Sequence, residues 1–428
     1  MISVPNHRPR SNGNSSRLLG WVMVAVLAGS LQSCAFIEDL FQGKKRKVRT
    51  ERPGEKKEVE IREIEWEDVT DEEGVIRNYP DKTEDKDDIY DVLCLLPFNG
   101  TNKDKGRSLY AGMKMAANDL DLGINLRITT LDISRLAGEP ETLRKLLSVP
   151  EFDVIISPYA TDDVNRVIDL VQGSGSLVVS PWNTSPSVRR FDHFIQLNPG
   201  LESHFSGMVD WTVREFGAGQ TLIVSSKKEM SSVKILQEDN PNLENYYTAV
   251  NPTEDIPKMK DLIASKNVEA IIVPSWRSSD EAYFLSLLSA VNAARGFRNI
   301  SVVVLSSWMD NDDINFDQYR GLNLHFTNSR FKNTESRVVL RLEDQYIREY
   351  NYFADDEVFY GHDIYRMVVE WLTKYDHRVR SEIVNYECQD CFFRYDFVDE
   401  VTDEGKSYIL NDHVDIISLR NFQYNRVN

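Results

Sequence analysis

Cys388-Gln389-Asp390-Cys391 is the pair of cysteines whose spacing permits local sulfur chemistry. In an oxidising compartment a CxxC pair closes as a small disulfide, whereas a reduced pair stands as free thiols or as a redox centre. A metal half-site would need two further ligands, and no suitable partners are apparent. Cys94 lies in an apolar run, where a buried thiol is inert. The 7 histidines are scattered without HxxH or HExxH spacing, and no Walker loop, post-strand GxGxxG or GxSxG elbow occurs. No catalytic residue, metal or cofactor is therefore assigned, and an enzyme is not expected. The remaining chemistry is that of binding. Phe98, Asn99, Ser157, Tyr159, Ala160, Thr161, Trp182, Asn183, Ser275, Trp276 and Trp308 all follow apolar runs that read as strands. The N–H and hydroxyl groups of Ser157, Ala160 and Thr161, beside a helix starting near Asp162, could hold a carboxylate, and Tyr159, Trp182, Trp276 and Trp308 could wall an apolar or ring-shaped moiety. Two plainer readings stand beside this one. Ser, Pro and Asn after a strand are ordinary turn residues, and the rings could seal a lobe interface that holds nothing.

Cys34 has a different setting. Residues 1–33 carry Arg8, Arg10 and Arg17, no acidic residue, and an apolar run of 14 residues from Leu18 to Leu31. A permanent transmembrane helix needs about 20 residues, so the pattern reads as a cleaved signal peptide. Leu31-Gln32-Ser33-Cys34 resembles the bacterial lipobox, which implies lipidation (palmitate) at Cys34. Two or three acyl chains hold a soluble body on a bilayer where one does so only marginally. An ordinary secretory signal with a chance cysteine is the alternative. Ala35, where an Asp would retain the protein at the inner membrane, points to the outer membrane, with periplasmic and surface-facing orientations both open.

Between Lys44 and Asp88, 28 of 45 residues are charged, too many for a core, so 34–88 reads as the lipidated cysteine followed by a mostly extended tether. A flexible chain of this length reaches roughly 40 Å. Val59-Glu60-Ile61-Arg62-Glu63-Ile64-Glu65-Trp66 partly alternates as a strand does, and is expected as an extended arm on the body. The net charge of −18 repels a phosphate backbone, so no nucleic-acid partner is expected; Lys44-Lys45-Arg46-Lys47 suits an anionic membrane surface.

From residue 89 to 428 short β runs alternate with helical patterns, the signature of βαβ units and parallel sheets. Asp91-Val-Leu-Cys-Leu-Leu-Pro-Phe98 is continuously apolar, which implies a strand covered on both faces. Strands are expected at 126–131, 153–157, 177–181, 194–197, 221–225, 268–274 and 300–305, and helices at 140–149, 162–172, 201–216, 258–265 and 280–294. Two series of this kind imply two similar lobes.

Leu95-Leu96-Pro97-Phe98, Leu109-Tyr110-Ala111-Gly112-Met113, Ile155-Ile156-Ser157-Pro158-Tyr159, Val178-Val179-Ser180-Pro181 and Tyr360-Gly361-His362-Asp363 resemble, in that order, the type I periplasmic-binding-protein family. That family includes leucine-type amino-acid receptors and the lipoprotein activators of penicillin-binding proteins. The resemblance implies an α/β, two-lobed fold, each lobe a mostly parallel sheet flanked by helices. Lobe one would comprise about 91–197 and 331–375, lobe two about 198–327 and 393–428, with ligand in the interlobe cleft at the carboxyl ends of the strands. The expected function is a cell-envelope lipoprotein that binds a small polar or amino-acid-like ligand in that cleft. The alternative is a non-enzymatic protein-binding scaffold or regulator of envelope and peptidoglycan synthesis. The usual Gly before Pro158 is Ser157, and no acid for an amino group can be placed, which favours the alternative.

Overall fold

Continuous apolar strands need cover on both faces, and the chain supplies it in two separate layered units. The computed structural model describes residues 59–63, 89–120, 124–136, 140–148, 152–238, 240–309, 311, 313–314, 319, 321–420 and 423–428. The signal segment, Cys34 and most of the tether lie outside the described residues. Among the described residues no helix is long and apolar enough to cross a membrane.

The first sheet is built from β1 (Val59–Glu63), β2 (Ile89–Leu96), β3 (Asn125–Asp132), β4 (Val154–Ile156), β5 (Leu177–Ser180) and β6 (Phe194–Gln196). The second is built from β7 (Thr221–Ser225), β8 (Glu244–Tyr247), β9 (Ala270–Ile272), β10 (Ile300–Val304) and β11 (Leu322–Asn328). The last four strands are β12 (Phe397–Val401), β13 (Ser407–Asn411), β14 (Asp415–Arg420) and β15 (Gln423–Arg426). The sheet orders are β1-β3-β2-β4-β5-β6-β13-β12 and β15-β14-β11-β10-β9-β7-β8. β1 extends the first sheet by pairing parallel to β3, so the arm expected at 59–66 docks as an edge strand over Val59–Glu63. Apart from it, both sheets place their first strand between their second and third. That order creates a crevice at the carboxyl ends, between β2 and its neighbours in one lobe and β7 and its neighbours in the other.

Pairing is parallel throughout except at β12–β13, β11–β14 and β14–β15. β13 runs parallel beside β6. Thus 397–411, which the sequence reading gave to lobe two, completes the sheet of lobe one, and only the tail from β14 onward joins lobe two. Backbone pairing decides this, and no local pattern announces which sheet edge a hairpin near the end of the chain will meet. The chain crosses between lobes three times: after β6, after β11 and between β13 and β14.

Alternation within β2 shows why its run is apolar on both sides. Val92, Cys94 and Leu96 enter one core, and Leu93 and Leu95 enter the core on the opposite face. Burying such a side chain contributes about 1.5–3 kcal/mol. The first of these cores includes the helices Lys103–Asp119 and Asp356–Tyr375, which cross at two glycines. A Cβ on Gly112 would collide with the Val358 carbonyl oxygen, and one on Gly361 with the Leu109 carbonyl oxygen. Asp355 caps the second helix by accepting the Val358 N–H, and Asp356 and Glu357 suit its amino-terminal dipole.

Gly112→Ala or Gly361→Ala is expected to cost about 1–3 kcal/mol through overpacking. Gly219→Ala, whose Cβ meets only open space, should be near neutral. Urea unfolding of the three variants measures the contrast.

Candidate functional site

The candidate residues of lobe one follow β2, β4 and β5 at their carboxyl ends, and most of them are engaged by other groups of the chain. Phe98 is buried edge-on against Tyr110, and its backbone N–H donates to Asp132. The exposed Asn99 also donates its amide to Asp132. Tyr159 and Trp182 form a tilted ring pair with centroids 5.5 Å apart, and the Lys105 ammonium lies 5.2 Å from the Tyr159 ring. Asn183 donates to the Thr161 hydroxyl at 2.9 Å, while Ala160 occupies the cap position of the helix Thr161–Val171 without a capping side chain. A carboxylate arriving at that helix end would meet Asp162 and Asp163 in its first turn. Burial pushes the Asp163 carboxyl above its ordinary range, with Arg166 opposing. Anion binding there is disfavoured. The hydroxyls of Ser157, just past β4, and of Ser180, the last residue of β5, are fully buried and have no protein partner.

An ion pair that the sequence reading missed organises this face. Arg330, in the second crossover, donates to Glu357 Oε1 at 3.0 Å and to the Pro181 carbonyl at 3.4 Å, and its guanidinium lies 3.8 Å from the centroid of the Tyr360 ring. Trp182 Nε1 donates to the other Glu357 oxygen at 2.9 Å. The Tyr360 hydroxyl donates to the Pro181 carbonyl at 2.8 Å, and burial holds that phenol well above its usual pKa. Three elements therefore meet on one carboxylate and one guanidinium: the end of β5, the start of the helix Asp356–Tyr375, and the crossover from lobe two. One turn further along that helix, Asp363 is fully buried and accepts the backbone N–H groups of Phe392 and Phe393 and the Tyr395 hydroxyl. Burial raises its pKa to about 7 against the opposing effect of those donors and Arg366.

On lobe two, Trp308 is 2% exposed, stacked on Phe284 at 3.9 Å and donating to the Ser275 carbonyl. A 3-10 turn after β10 carries this indole into the core instead of to a cleft wall. Ser275 is likewise buried, whereas Trp276 is 43% exposed with Arg277 at 5.0 Å from its ring. Glu229, also missed, is buried near Ser275 and Ser226; burial raises its carboxyl, and the Ser226 N–H opposes that shift. A surface depression of about 430 Å³ beside edge strand β8 is lined by Met230, Val233, Lys234, Gln237, Glu238 and Tyr247, none of them a candidate contact. Among the described residues no cluster of His, Cys, Asp or Glu could hold a metal ion. Cys388 and Cys391 form a disulfide, and Cys94 is a buried free thiol raised to about 12 by burial.

No family model and no curated protein matches the chain. Solved structures match it in fold. A Rhodospirillum rubrum protein described as a branched-chain amino acid ABC transporter aligns with a TM-score of 0.58 at 12% identity, covering 79% of this chain and 99% of that one. The C-domain of LpoA from Haemophilus influenzae, a regulator of PBP1A, aligns at 0.54 and 11%, covering 79% and 100%. An ABC transporter substrate-binding protein from Desulfitobacterium hafniense in complex with Leu aligns at 0.51 and 12%, again over 79% and 100%. The two-lobed architecture of periplasmic binding proteins is thus shared by this chain, and at these identities the likeness extends to the fold alone.

Two outcomes are expected from the site. Glu357→Ala strands the Arg330 guanidinium and the Trp182 N–H, at a cost of about 3 kcal/mol, while Arg330→Met/Glu357→Leu together should cost less than the single change because no buried charge is left alone. Urea unfolding of the two variants decides. For Asp363 the folded-state pKa lies above the unfolded carboxylate value, so the folded state holds the extra proton. Its contribution to stability is full below about pH 4, is lost as pH rises to about 7, and is flat beyond. His204 and His362, lowered to about 4 by burial, act in the opposite sense over the same range. The stability of the wild type minus that of Asp363→Asn, followed against pH by thermal melts, isolates the Asp363 share.

Proposed function

We propose that this chain is a non-catalytic lipoprotein of the cell envelope, anchored through Cys34 and more consistent with the outer membrane than the inner. In this reading the two-lobed body acts as a protein-binding scaffold or regulator, not as a receptor for a diffusible solute. A protein partner is in keeping with the fold neighbour described as a regulator of PBP1A. One observation carries this reading. The lobe-one groups that would greet a small ligand are already occupied by the chain's own Tyr159–Trp182 pair and the Arg330–Glu357 ion pair. A ligand would have to displace a partly buried ion pair, which leaves uncompensated charge unless the ligand replaces each partner.

The second reading is a cleft that closes on a small polar ligand. Its specific support is the exposed Trp276 at the rim of lobe two and the unpartnered hydroxyls of Ser157 and Ser180. Thermal-shift measurements on the full chain with amino acids, sugars and organic acids separate the two. A ligand held at 100 times its Kd stabilises the folded state by about 2.7 kcal/mol, a rise of several degrees in Tm. The scaffold reading expects no shift with any of these compounds, together with a defined envelope protein whose activity changes when the purified chain is added. A reproducible shift with one metabolite class would replace it with the receptor reading.

A further inference from the structure

The disulfide lies close to the ion pair through a single helix. Cys388 and Cys391, both partly buried against the first core, close a turn whose next two residues, Phe392 and Phe393, place their backbone N–H groups on the Asp363 carboxylate at 2.9–3.0 Å. Both rings also pack on that helix: Phe392 against Phe359 and His362, Phe393 against Tyr360. Asp390, inside the turn, lies 3.5 Å from Arg366, and Tyr386, just before it, donates to Glu370 at 2.7 Å. Glu357, Tyr360, Asp363, Arg366 and Glu370 stand on successive turns of this one helix, winding around it from its amino-terminal end toward its carboxyl-terminal half. The first turns of the helix hold Arg330 of the second crossover, and the turns from Asp363 to Glu370 hold the segment around the disulfide.

We propose that the Cys388–Cys391 bond is a thiol–disulfide exchange site for a dithiol reductant of the cell envelope, and that its state sets how firmly the Glu357–Tyr360 end of the helix holds the crossover between the lobes. In the exchange a reductant thiolate attacks one of the two sulfurs and the Sγ–Sγ bond breaks, giving a mixed disulfide and one cysteine thiolate. The second reductant thiol, as thiolate, attacks the mixed disulfide, releases the other cysteine and leaves as its own disulfide. Two electrons pass to Cys388 and Cys391, and two protons from the dithiol or solvent complete the thiols. Without the bond the four-residue turn gains conformational freedom, and the donors on Asp363 are no longer held in place.

The experiment is hydrogen–deuterium exchange on the full chain, oxidised and after equilibration with dithiothreitol, with alkylation and mass spectrometry to report which thiols have opened. The proposal expects Cys388 and Cys391 to be alkylated in the folded protein while Cys94 stays protected. It also expects exchange at Phe392, Phe393 and the crossover around Arg330 to rise roughly tenfold, with β7 and β9 of lobe two unchanged. Cys388→Ser/Cys391→Ser should show the raised exchange without reductant, and Asp363→Asn should raise crossover exchange even when oxidised. A bond reduced only on global unfolding would overturn the proposal. Reduction that loosens the turn but leaves crossover exchange unchanged would do the same. If the double variant does not fold, the reduced wild-type comparison still decides.

Discussion

The arrangement of the lobes depends on the cost of taking a guanidinium out of water. Arg330 leaves lobe two at the end of β11 and comes to rest mostly buried beneath the strand ends of lobe one. A cation in that setting is tolerated only if it is matched, and Glu357, the Pro181 carbonyl and the face of Tyr360 match it together. Glu357 and Tyr360 belong to the first turns of one helix, and Pro181 to the end of β5. Satisfying one charge therefore fixes the end of β5, the start of the helix Asp356–Tyr375 and the second crossover relative to one another.

The other two crossovers are tied down by similar means. Asn411 donates to the Leu197 carbonyl at 2.9 Å and accepts from Asp396 and His413, which joins the first crossover to the third. Buried Asp415 takes Arg426 at 3.0 Å and His413 at 3.2 Å, and Arg426 donates in turn to the Phe331 carbonyl of the second crossover. A junction held by three such networks suits a body whose surface shape is its working part. A receptor that must open and close would need at least one of these links to exchange readily, because local opening draws on the least stable contacts.

Much of this fold was readable from the chain because β2, β4, β5 and β10 are buried on both faces and so read as unbroken apolar runs. Edge strand β8, Glu-Asn-Tyr-Tyr, is half exposed and carries no such signal. The sheet that receives β12 and β13 is a long-range choice, and an apolar pattern is silent about it. The candidate residues follow strands in the structure, yet their partners were not legible. Arg330 and Glu357 are 27 residues apart, one in a crossover and the other in the first turn of a helix, a pairing with no periodicity to betray it. Trp308 lies in a 3-10 turn after β10 and stacks on Phe284 in the core, a packing that its place after an apolar run does not announce. The stretch Tyr360-Gly361-His362-Asp363, which carried part of the family resemblance, now has a separate physical reason at three positions: ring contact with Arg330, helix approach at Gly361, and the backbone donors held by Asp363.

The account is tested most directly by the distance between the lobes in solution. Spin labels at exposed positions, through Asp119→Cys in lobe one and Lys260→Cys in lobe two, give that distance by pulsed electron resonance. A single narrow distribution that broadens in Glu357→Gln is the predicted result. A distribution already broad or two-peaked with Glu357 intact, and unchanged by its loss, would show that the ion pair does not hold the lobes.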